Sequence, residues 1–160
     1  EGLRVAIVGD VLHSRVARSN IWGLRKMGAH VVLVGPPTLV PDSFRSMGVE
    51  VCHNLKDGIR RADVVYMLRI QMERQSRGLF PSLREYRQLF GLDLDKLKWA
   101  KNDALVMHPG PVNLDVEISR AVMQCPQSKV IDQVTNGLAV RMACLYLLRG
   151  ASGHGAHAGL

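Results

Sequence analysis

Short runs of consecutive apolar residues alternate along the chain with longer stretches in which apolar residues recur every three or four positions. Six runs predict β-strands, at residues 3–8, 30–34, 49–52, 62–67, 104–107 and 129–131. Helical spacing or a helix-opening proline predicts helices at residues 13–27, 41–47, 55–61 and 136–149. Strands that are apolar at consecutive positions are typical of a parallel sheet covered on both faces. The pattern therefore predicts the α/β class: a doubly wound parallel sheet with helices on both faces, a Rossmann-like three-layer sandwich in a single domain.

Two segments depart from this alternation. Residues 72–101 are rich in charge and contain Gly78, Pro81 and Gly91, which favours a mobile loop followed by two short helices. Residues 151–160 are of low complexity, so we expect a flexible Gly/Ala/His tail after a domain at residues 1–150. The helix predicted before this tail is apolar on nearly every face, and we expect it to be buried or docked against another surface.

Composition narrows the class of protein. A chain of 160 residues is long enough to bury a real core. The cysteines Cys52, Cys125 and Cys144 are widely spaced in apolar or helical contexts, which favours reduced, buried thiols. No run reaches the roughly 18 apolar residues of a membrane helix, and the first residues lack a signal-peptide pattern, so we expect a soluble, cytoplasmic protein. A formal charge of +7 favours anionic partners.

The residues that directly follow strands are the first candidates for a site, because ligands of open parallel sheets bind beyond the carboxyl ends of the strands. After the first strand, Arg15 falls in the first turn of a helix, where helix-end amides and a guanidinium can share one anion. After the strand that ends at residue 67, Arg69 and Gln71 fall on one side of an extended chain, which suits a carboxylate. A solvated surface arginine and a polar strand end without a ligand are the alternatives.

The segment MHPGPVNLDVEIS forms a third candidate, since it places two prolines and a glycine directly after an apolar strand. Pro109 and Pro111 remove two backbone donors and fix two φ angles, while Gly110 allows a close approach of another molecule. The carbonyl groups of such a corner are held outward, and an amide-like NH₂ group would suit them. An ordinary strand-terminating turn is the alternative.

Other kinds of site find less support. Gly9 follows the first strand, but the chain has neither a G-x-G-x-x-G sequence nor an acidic residue at the end of the second strand, which argues against a dinucleotide site. The histidines lack the spacing of metal ligands. Aromatic residues make up 5% of the chain, which argues against a surface that stacks nucleic-acid bases. An anion-binding or nucleic-acid-binding domain nevertheless stays open as an alternative because of the net positive charge.

Four segments taken together carry a more specific signal: VAIVGDVLHSRVARSN, LRIQMERQ, MHPGPVNLDVEI and QVTNGLAVRMACLYLL. In the same order and at similar separations, they resemble the carboxyl-terminal, aspartate-binding half of the aspartate carbamoyltransferases, and the resemblance covers residues 3–149. The sister family, the ornithine carbamoyltransferases, carries a cysteine after the histidine of the third segment, where this chain has Pro109. The resemblance therefore implies aspartate as the amine substrate.

The resemblance also implies roles for the two arginines. Arg15 and Arg69 would grip the carboxylates of L-aspartate, assisted by Gln71. The aspartate amine would attack the carbonyl carbon of carbamoyl phosphate and expel phosphate, which gives N-carbamoyl-L-aspartate for pyrimidine biosynthesis. The family uses no metal, no cofactor and no protein nucleophile, so positioning and electrostatic stabilisation carry the catalysis. A loop corresponding to residues 72–90 would close over aspartate.

For the corner, the resemblance implies that the carbonyls of Pro109 and Gly110, with Pro111 shaping the turn, hold the NH₂ group of carbamoyl phosphate. Full-length chains of the family form homotrimers that share active sites between neighbouring subunits, and regulatory or dihydroorotase chains are further possible partners. Nucleic acid and membranes are not expected partners.

The chain departs from the family pattern in two ways. The family often reads V-N-R in the third segment, whereas Leu114 follows Asn113 here. The N-terminal carbamoyl-phosphate domain, with its S-T-R-T-type phosphate loop, is absent from this chain, so we expect half of an enzyme that is inactive alone. Because of Leu114, a catalytically silent structural or regulatory module is the second interpretation.

Overall fold

A computed structural model describes residues 2–70 and 82–151. The chain divides into two compact units, residues 1–130 and 131–160. The first unit is built on a parallel sheet whose strands lie in the order β3-β2-β1-β4-β5. The strands are β1 Arg4–Val8, β2 His30–Val34, β3 Glu50–Cys52, β4 Val64–Met67 and β5 Leu105–Met107. The predicted α/β class with a parallel sheet is confirmed.

Six α-helices and one 3₁₀ helix accompany the sheet in the described part of the chain. They are α1 Arg15–Lys26, the 3₁₀ helix Asp42–Met47, α2 Leu55–Ile59, α3 Leu83–Phe90, α4 Leu94–Leu97, α5 Arg120–Met123 and α6 Val130–Ala151. Five of the α-helices begin at a residue whose side-chain oxygen accepts a hydrogen bond from a backbone N–H of the first turn, and these caps are Ser14, Asn54, Ser82, Asp93 and Ser119. Each such cap stabilises its helix by about 1 kcal/mol.

The core of the first unit lies on the sheet. Most strand residues are buried, and Ala6, Ile7 and Val8 of the central strand β1 are fully inaccessible. Full burial of a valine or isoleucine side chain contributes about 1.5–3 kcal/mol, so the sheet is a stable base for the residues that follow its strands.

The predicted strand at residues 129–131 is wrong. Gln127 O accepts a hydrogen bond of 2.9 Å from Val106 N, and Lys129 N donates one of 2.8 Å to Val106 O, so the chain does run beside β5. It then enters α6 at Val130. Two β-branched residues in a row, Val130 and Ile131, fit the first turn of a long helix as well as they fit a short strand, and the pairing with β5 ends at Lys129.

Other differences are smaller. The helix expected after Pro41 is a 3₁₀ helix. The helix predicted at residues 55–61 ends at Ile59, two residues before Arg61, which adopts a left-handed φ of 58°. The two short helices expected before residue 101 are present as α3 and α4, whereas residues 71–81, with most of the predicted loop, lie outside the described residues, as does the predicted tail from residue 152.

The second unit begins within α6. Large apolar side chains of this helix are exposed, among them Ile131, Leu138, Met142, Leu145 and Leu147. The expectation that the helix is buried is therefore wrong for the described chain, and its docking stays a prediction. Among the described helices, none is long and apolar enough to cross a membrane.

All three cysteines are free thiols, as expected for reduced residues, but they are less buried than expected. Cys52 and Cys125 are half-buried, and Cys144 on α6 is exposed.

Candidate functional site

The three predicted candidate segments follow β1, β4 and β5, which are adjacent strands of the sheet. The strand order runs one way from β1 to β2 and β3 and the other way from β1 to β4 and β5. A crevice forms at such a reversal, beyond the carboxyl ends of the central strands, and ligands of α/β proteins bind there. The sheet therefore brings all three segments to one edge.

The segment after β1 is held by a buried carboxylate. Asp10 is fully inaccessible, and its Oδ1 accepts a hydrogen bond of 3.2 Å from the backbone N–H of His13 and lies 2.8 Å from Nδ1 of the same residue. Ser14 then caps α1, and Arg15 occupies the first position of that helix with an exposed side chain. Arg15 thus lies at the N-terminus of a helix that begins beyond the carboxyl end of β1, and such a helix end favours anions.

The segment after β4 packs tightly against the turn after β1. Leu68 N donates a hydrogen bond of 2.8 Å to Val8 O. Gly9 adopts a φ of 127°, and a Cβ atom built on it would lie 3.1 Å from both Cβ and the carbonyl oxygen of Leu68. Only glycine fits this approach without displacement. The half-buried Arg69 follows directly, so its backbone position depends on this contact.

The segment after β5 turns at a histidine that is fully buried. The backbone N–H of Gly110 donates a hydrogen bond of 2.9 Å to Nδ1 of His108. Burial, together with the positive charge of Arg69, lowers the pKa of His108 to about 4, so the imidazole is neutral at pH 7. Gly110 has a φ of 66° and precedes a cis peptide bond to Pro111. The corner is therefore shaped by a neutral buried side chain as well as by its prolines.

A buried glutamate links the second and third segments. Glu117 is fully inaccessible, and its Oε1 accepts hydrogen bonds of 3.1 Å from Ile70 N and 3.0 Å from Nδ2 of Asn113. The same Nδ2 lies 3.4 Å from the carbonyl oxygen of Ile70. Burial raises the pKa of Glu117, and these hydrogen bonds oppose part of that rise because they favour the carboxylate.

Tyr86 of α3 completes the polar interior behind the edge. Its hydroxyl oxygen lies 3.3 Å from the Cβ position built on Gly9. Burial, followed by the negative charges of Glu117 and Asp10, raises the pKa of Tyr86 above its ordinary value, so the phenol stays protonated. Through the buried side chain of Tyr86, helix α3 therefore packs against the turn after β1.

The structure describes every predicted site residue except Gln71. Arg15, Arg69 and the corner of Pro109, Gly110 and Pro111 lie at one edge of the sheet. Gln71 lies outside the described residues. Among the described residues, no group of three or more His, Cys, Asp or Glu side chains is arranged to hold a metal ion.

Sequence reasoning missed four buried polar residues behind this edge, Asp10, Tyr86, His108 and Glu117, and the half-buried Asn113 that binds the glutamate. One signal was available for the glutamate, which stands between Val116 and Ile118 in an apolar context. A charged residue among apolar neighbours is rarely buried unless it has partners, and this one has them.

A parallel sheet with arginines and a carbonyl-rich corner beyond three adjacent strands is typical of α/β domains that bind small anionic molecules at the switch point of the sheet. Residues 1–148 match the family described as "Aspartate/ornithine carbamoyltransferase, Asp/Orn binding domain". The chain belongs to this family, as the four ordered segments predicted.

Curated relatives include the aspartate carbamoyltransferase catalytic subunits of Desulforamulus reducens, 58% identical over 153 residues, and Syntrophobacter fumaroxidans, 61% identical over 148 residues. The matches cover 96% and 92% of this chain but 49% and 48% of those proteins. The chain thus spans about half the length of the curated relatives it matches.

Solved structures of the same class have similar folds. The chain matches ornithine carbamoyltransferase from Pyrococcus furiosus with a TM-score of 0.75 and 29% identity, covering 91% of this chain and 49% of the other. It matches aspartate transcarbamoylase from Trypanosoma cruzi in complex with carbamoyl aspartate and phosphate with a TM-score of 0.75 and 26% identity, with the same coverage.

Proposed function

We propose that this chain is the aspartate-binding half of an aspartate carbamoyltransferase, which transfers the carbamoyl group of carbamoyl phosphate to L-aspartate. The observation that carries the proposal is the placement of two arginines and a carbonyl-rich corner beyond adjacent strands β1, β4 and β5. The names of the relatives cited above and the proline at position 109, where ornithine carbamoyltransferases carry cysteine, support aspartate over ornithine.

Two arginines suit a dicarboxylic acid. Each charge-assisted hydrogen bond between a guanidinium and a carboxylate contributes about 1.5–3 kcal/mol. In the proposal, Arg15 at the helix N-terminus and Arg69 beyond β4 each bind carboxylate oxygen atoms, and Gln71 assists. The exposed position of Arg15 leaves its guanidinium accessible to the substrate.

The corner suits the other substrate. The carbonyl oxygens of Pro109 and Gly110 would accept hydrogen bonds from the NH₂ group of carbamoyl phosphate, in a turn that Pro111 shapes. A Cβ atom built on Gly110 would meet no atom within 4 Å, so the space beside this backbone is open. The neutral imidazole of His108 supports the turn through its hydrogen bond from Gly110 N. It adds no positive charge that would compete with Arg15 and Arg69 for the substrate carboxylates.

The proposed reaction is a single acyl transfer. The neutral aspartate amine attacks the carbonyl carbon, a C–N bond forms, and the bond between that carbon and the phosphate oxygen breaks. The amine loses a proton as phosphate leaves. The chain's contribution is to hold both substrates in a reactive orientation and to stabilise the developing charge, which can supply several kcal/mol of the barrier reduction.

The rest of the enzyme belongs to the same proposal. An N-terminal half would bind the phosphate group, three full-length chains would form a trimer with shared active sites, and the enzyme would act in the cytoplasm. Regulatory or dihydroorotase chains are possible additional partners. The half-length coverage of the curated relatives supports the need for a second half.

The test is the formation of carbamoyl aspartate from carbamoyl phosphate and L-aspartate. It compares this chain alone with an extended protein, in which the chain is preceded by its own upstream coding sequence. We expect product from the extended protein only. A folded extended protein that makes no product would contradict the proposal and favour a catalytically silent module.

A further inference from the structure

We propose that Glu117 is a positioning residue that fixes the segment carrying Arg69 to the corner that begins at Pro109, with Asn113 as its partner. The inference rests on the proposed function and adds residues that do not themselves touch either substrate. We call the pair Arg15 and Arg69 the carboxylate clamp. If Glu117 has this role, the distance and orientation between Arg69 of the clamp and the corner at Pro109 stay fixed.

The hydrogen bonds of Glu117 join parts of the chain that are far apart in sequence. Its Oε1 accepts from Ile70 N, 47 residues away, at 3.1 Å. Ile70 is the residue after Arg69, so this bond fixes the peptide that leaves the arginine. The same oxygen accepts from Asn113 Nδ2 at 3.0 Å, two residues beyond Pro111.

Asn113 closes the arrangement. Its amide nitrogen also lies 3.4 Å from the carbonyl oxygen of Ile70, so both backbone polar groups of Ile70 are met by the pair. The carbonyl oxygen of Asn113 accepts a hydrogen bond of 3.1 Å from Val116 N, which folds the chain back toward Glu117. The side chains of Glu117 and Asn113 therefore connect the corner to the segment after β4.

Glu117 is itself anchored on the core. Its carbonyl oxygen accepts a hydrogen bond of 2.8 Å from Leu92 N, and Ser119 N donates one of 2.9 Å to Leu92 O. Leu92 is buried, so the backbone of Glu117 belongs to the rigid part of the unit. A fully buried carboxylate held in this way has little freedom to move, and it transmits that constraint to its partners.

This placement has a functional consequence because the clamp depends on geometry. A displacement of about 1 Å of a binding group can lower the rate of an enzyme by roughly 100-fold. Without the carboxylate, the buried N–H of Ile70 loses its acceptor, and the segment can relax toward another one. Arg69 would then move relative to the corner, and aspartate binding would weaken.

The test uses the extended protein, two variants of Glu117 and one control variant at an equally buried position. Glu117→Ala removes both acceptor oxygens, while Glu117→Gln keeps one oxygen for Ile70 N and Asn113. Val122→Ala is the control, since Val122 is fully buried in α5 and takes no part in these hydrogen bonds. KM for aspartate, KM for carbamoyl phosphate, kcat and Tm are measured for each.

We expect Glu117→Ala to raise KM for aspartate by roughly tenfold or more and to change KM for carbamoyl phosphate less than threefold. Glu117→Gln is expected to restore KM for aspartate to within about threefold of the unchanged protein, whatever its Tm, because the acceptor is retained. Val122→Ala is expected to lower Tm and leave both KM values unchanged. If Glu117→Ala does not fold, Asn113→Ala carries the same test, since its side chain is only partly buried.

A Glu117→Ala or Asn113→Ala protein that loses Tm but keeps its KM for aspartate, as the Val122 control does, would overturn the positioning role. This result is distinct from failure of the proposed function, in which the unchanged extended protein forms no carbamoyl aspartate at all.

Discussion

The backbone N–H of Gly110 donates a 2.9 Å hydrogen bond to Nδ1 of the fully buried His108. An acceptor at Nδ1 requires that the single proton of the neutral ring sit on Nε2. The low pKa of about 4 agrees with this arrangement, because protonation of Nδ1 would break the bond and place a charge beside Arg69. The shape of the corner is thereby linked to pH.

This link predicts a loss of stability in mild acid. The pKa of His108 is about 4 in the folded chain against 6.5 for an ordinary histidine, so the unfolded state binds more protons between these values. We expect the free energy of unfolding to fall by roughly 3 kcal/mol from this group alone as the pH drops from 6.5 to 4. Urea unfolding at several pH values measures the effect.

The variant His108→Asn isolates this contribution, since an amide oxygen can accept from Gly110 N without titrating. Glu117 acts in the opposite sense: its pKa is raised, so its contribution is complete below its ordinary pKa of 4.5 and is lost as the pH rises through the folded pKa. Glu117 is present in both the unchanged chain and His108→Asn. Subtracting their free energies of unfolding at each pH therefore removes the contribution of Glu117. Parallel stability curves for the two proteins would contradict the prediction.

Gly9→Ala is expected to destabilise the chain and weaken aspartate binding. The backbone φ of 127° is unfavourable for alanine, and the new Cβ would lie 3.1 Å from Leu68 Cβ and Leu68 O. We expect a loss of about 1–3 kcal/mol in the free energy of unfolding and a higher KM for aspartate, because Arg69 follows the displaced Leu68.

Gly23→Ala is the matched control for this glycine. A Cβ at Gly23, within α1, meets no atom within 4 Å, so alanine should stabilise the helix by about 0.5–1 kcal/mol. Equal effects of the two substitutions would show that the approach of Leu68 does not constrain the turn after β1.

The apolar pattern was sufficient for the five strands of the sheet and for the choice of the candidate site. Five strands follow from consecutive apolar runs, and the rule that ligands bind beyond strand ends selected Arg15, Arg69 and the corner at Pro109. The same pattern misassigned residues 129–131, because three β-branched or long residues in a row do not distinguish a strand from the first turn of a helix.

The buried polar network could not be predicted in the same way. Asp10 contacts His13 within a local turn, but the partners of Glu117 come from 47 and four residues away and meet only after the sheet has formed. His108 looked like one of several scattered histidines, and its role depends on complete burial. The bond between Ile70 and Glu117 is tertiary, and the burial of the shorter-range pairs depends on the tertiary structure, so periodicity and composition do not predict them.

Arg15→Ala tests the clamp at the start of α1. Its side chain is exposed, so we expect little change in Tm but an increase of roughly tenfold or more in KM for aspartate in the extended protein. Lys26→Ala removes the same charge at the opposite end of α1 and serves as the control. Similar KM values for the two variants would mean that Arg15 acts only through net charge.

Leu114→Arg tests whether the departure from the V-N-R pattern limits activity. Leu114 is 44% exposed, so a guanidinium can reach solvent from this position and stability should change by less than about 0.5 kcal/mol. If the extended protein is inactive and Leu114→Arg restores carbamoyl aspartate formation, the leucine is the cause of the inactivity. If the extended protein is already active, we expect the substitution to change kcat less than tenfold.

The last prediction concerns α6, whose apolar side chains need a partner surface. Leu145 and Leu147 are each 70% exposed, and an isolated helix without a packed face is marginally stable in water. We expect the backbone amides of α6 to exchange with solvent quickly in the chain alone and slowly in the extended protein, where the second half would cover them. The amides of Val31–Val34 in β2, whose residues are buried in this chain, are the reference for hydrogen exchange. Protection of α6 equal to that of β2 in the chain alone would contradict docking on a second half, because the helix would then have no need of one.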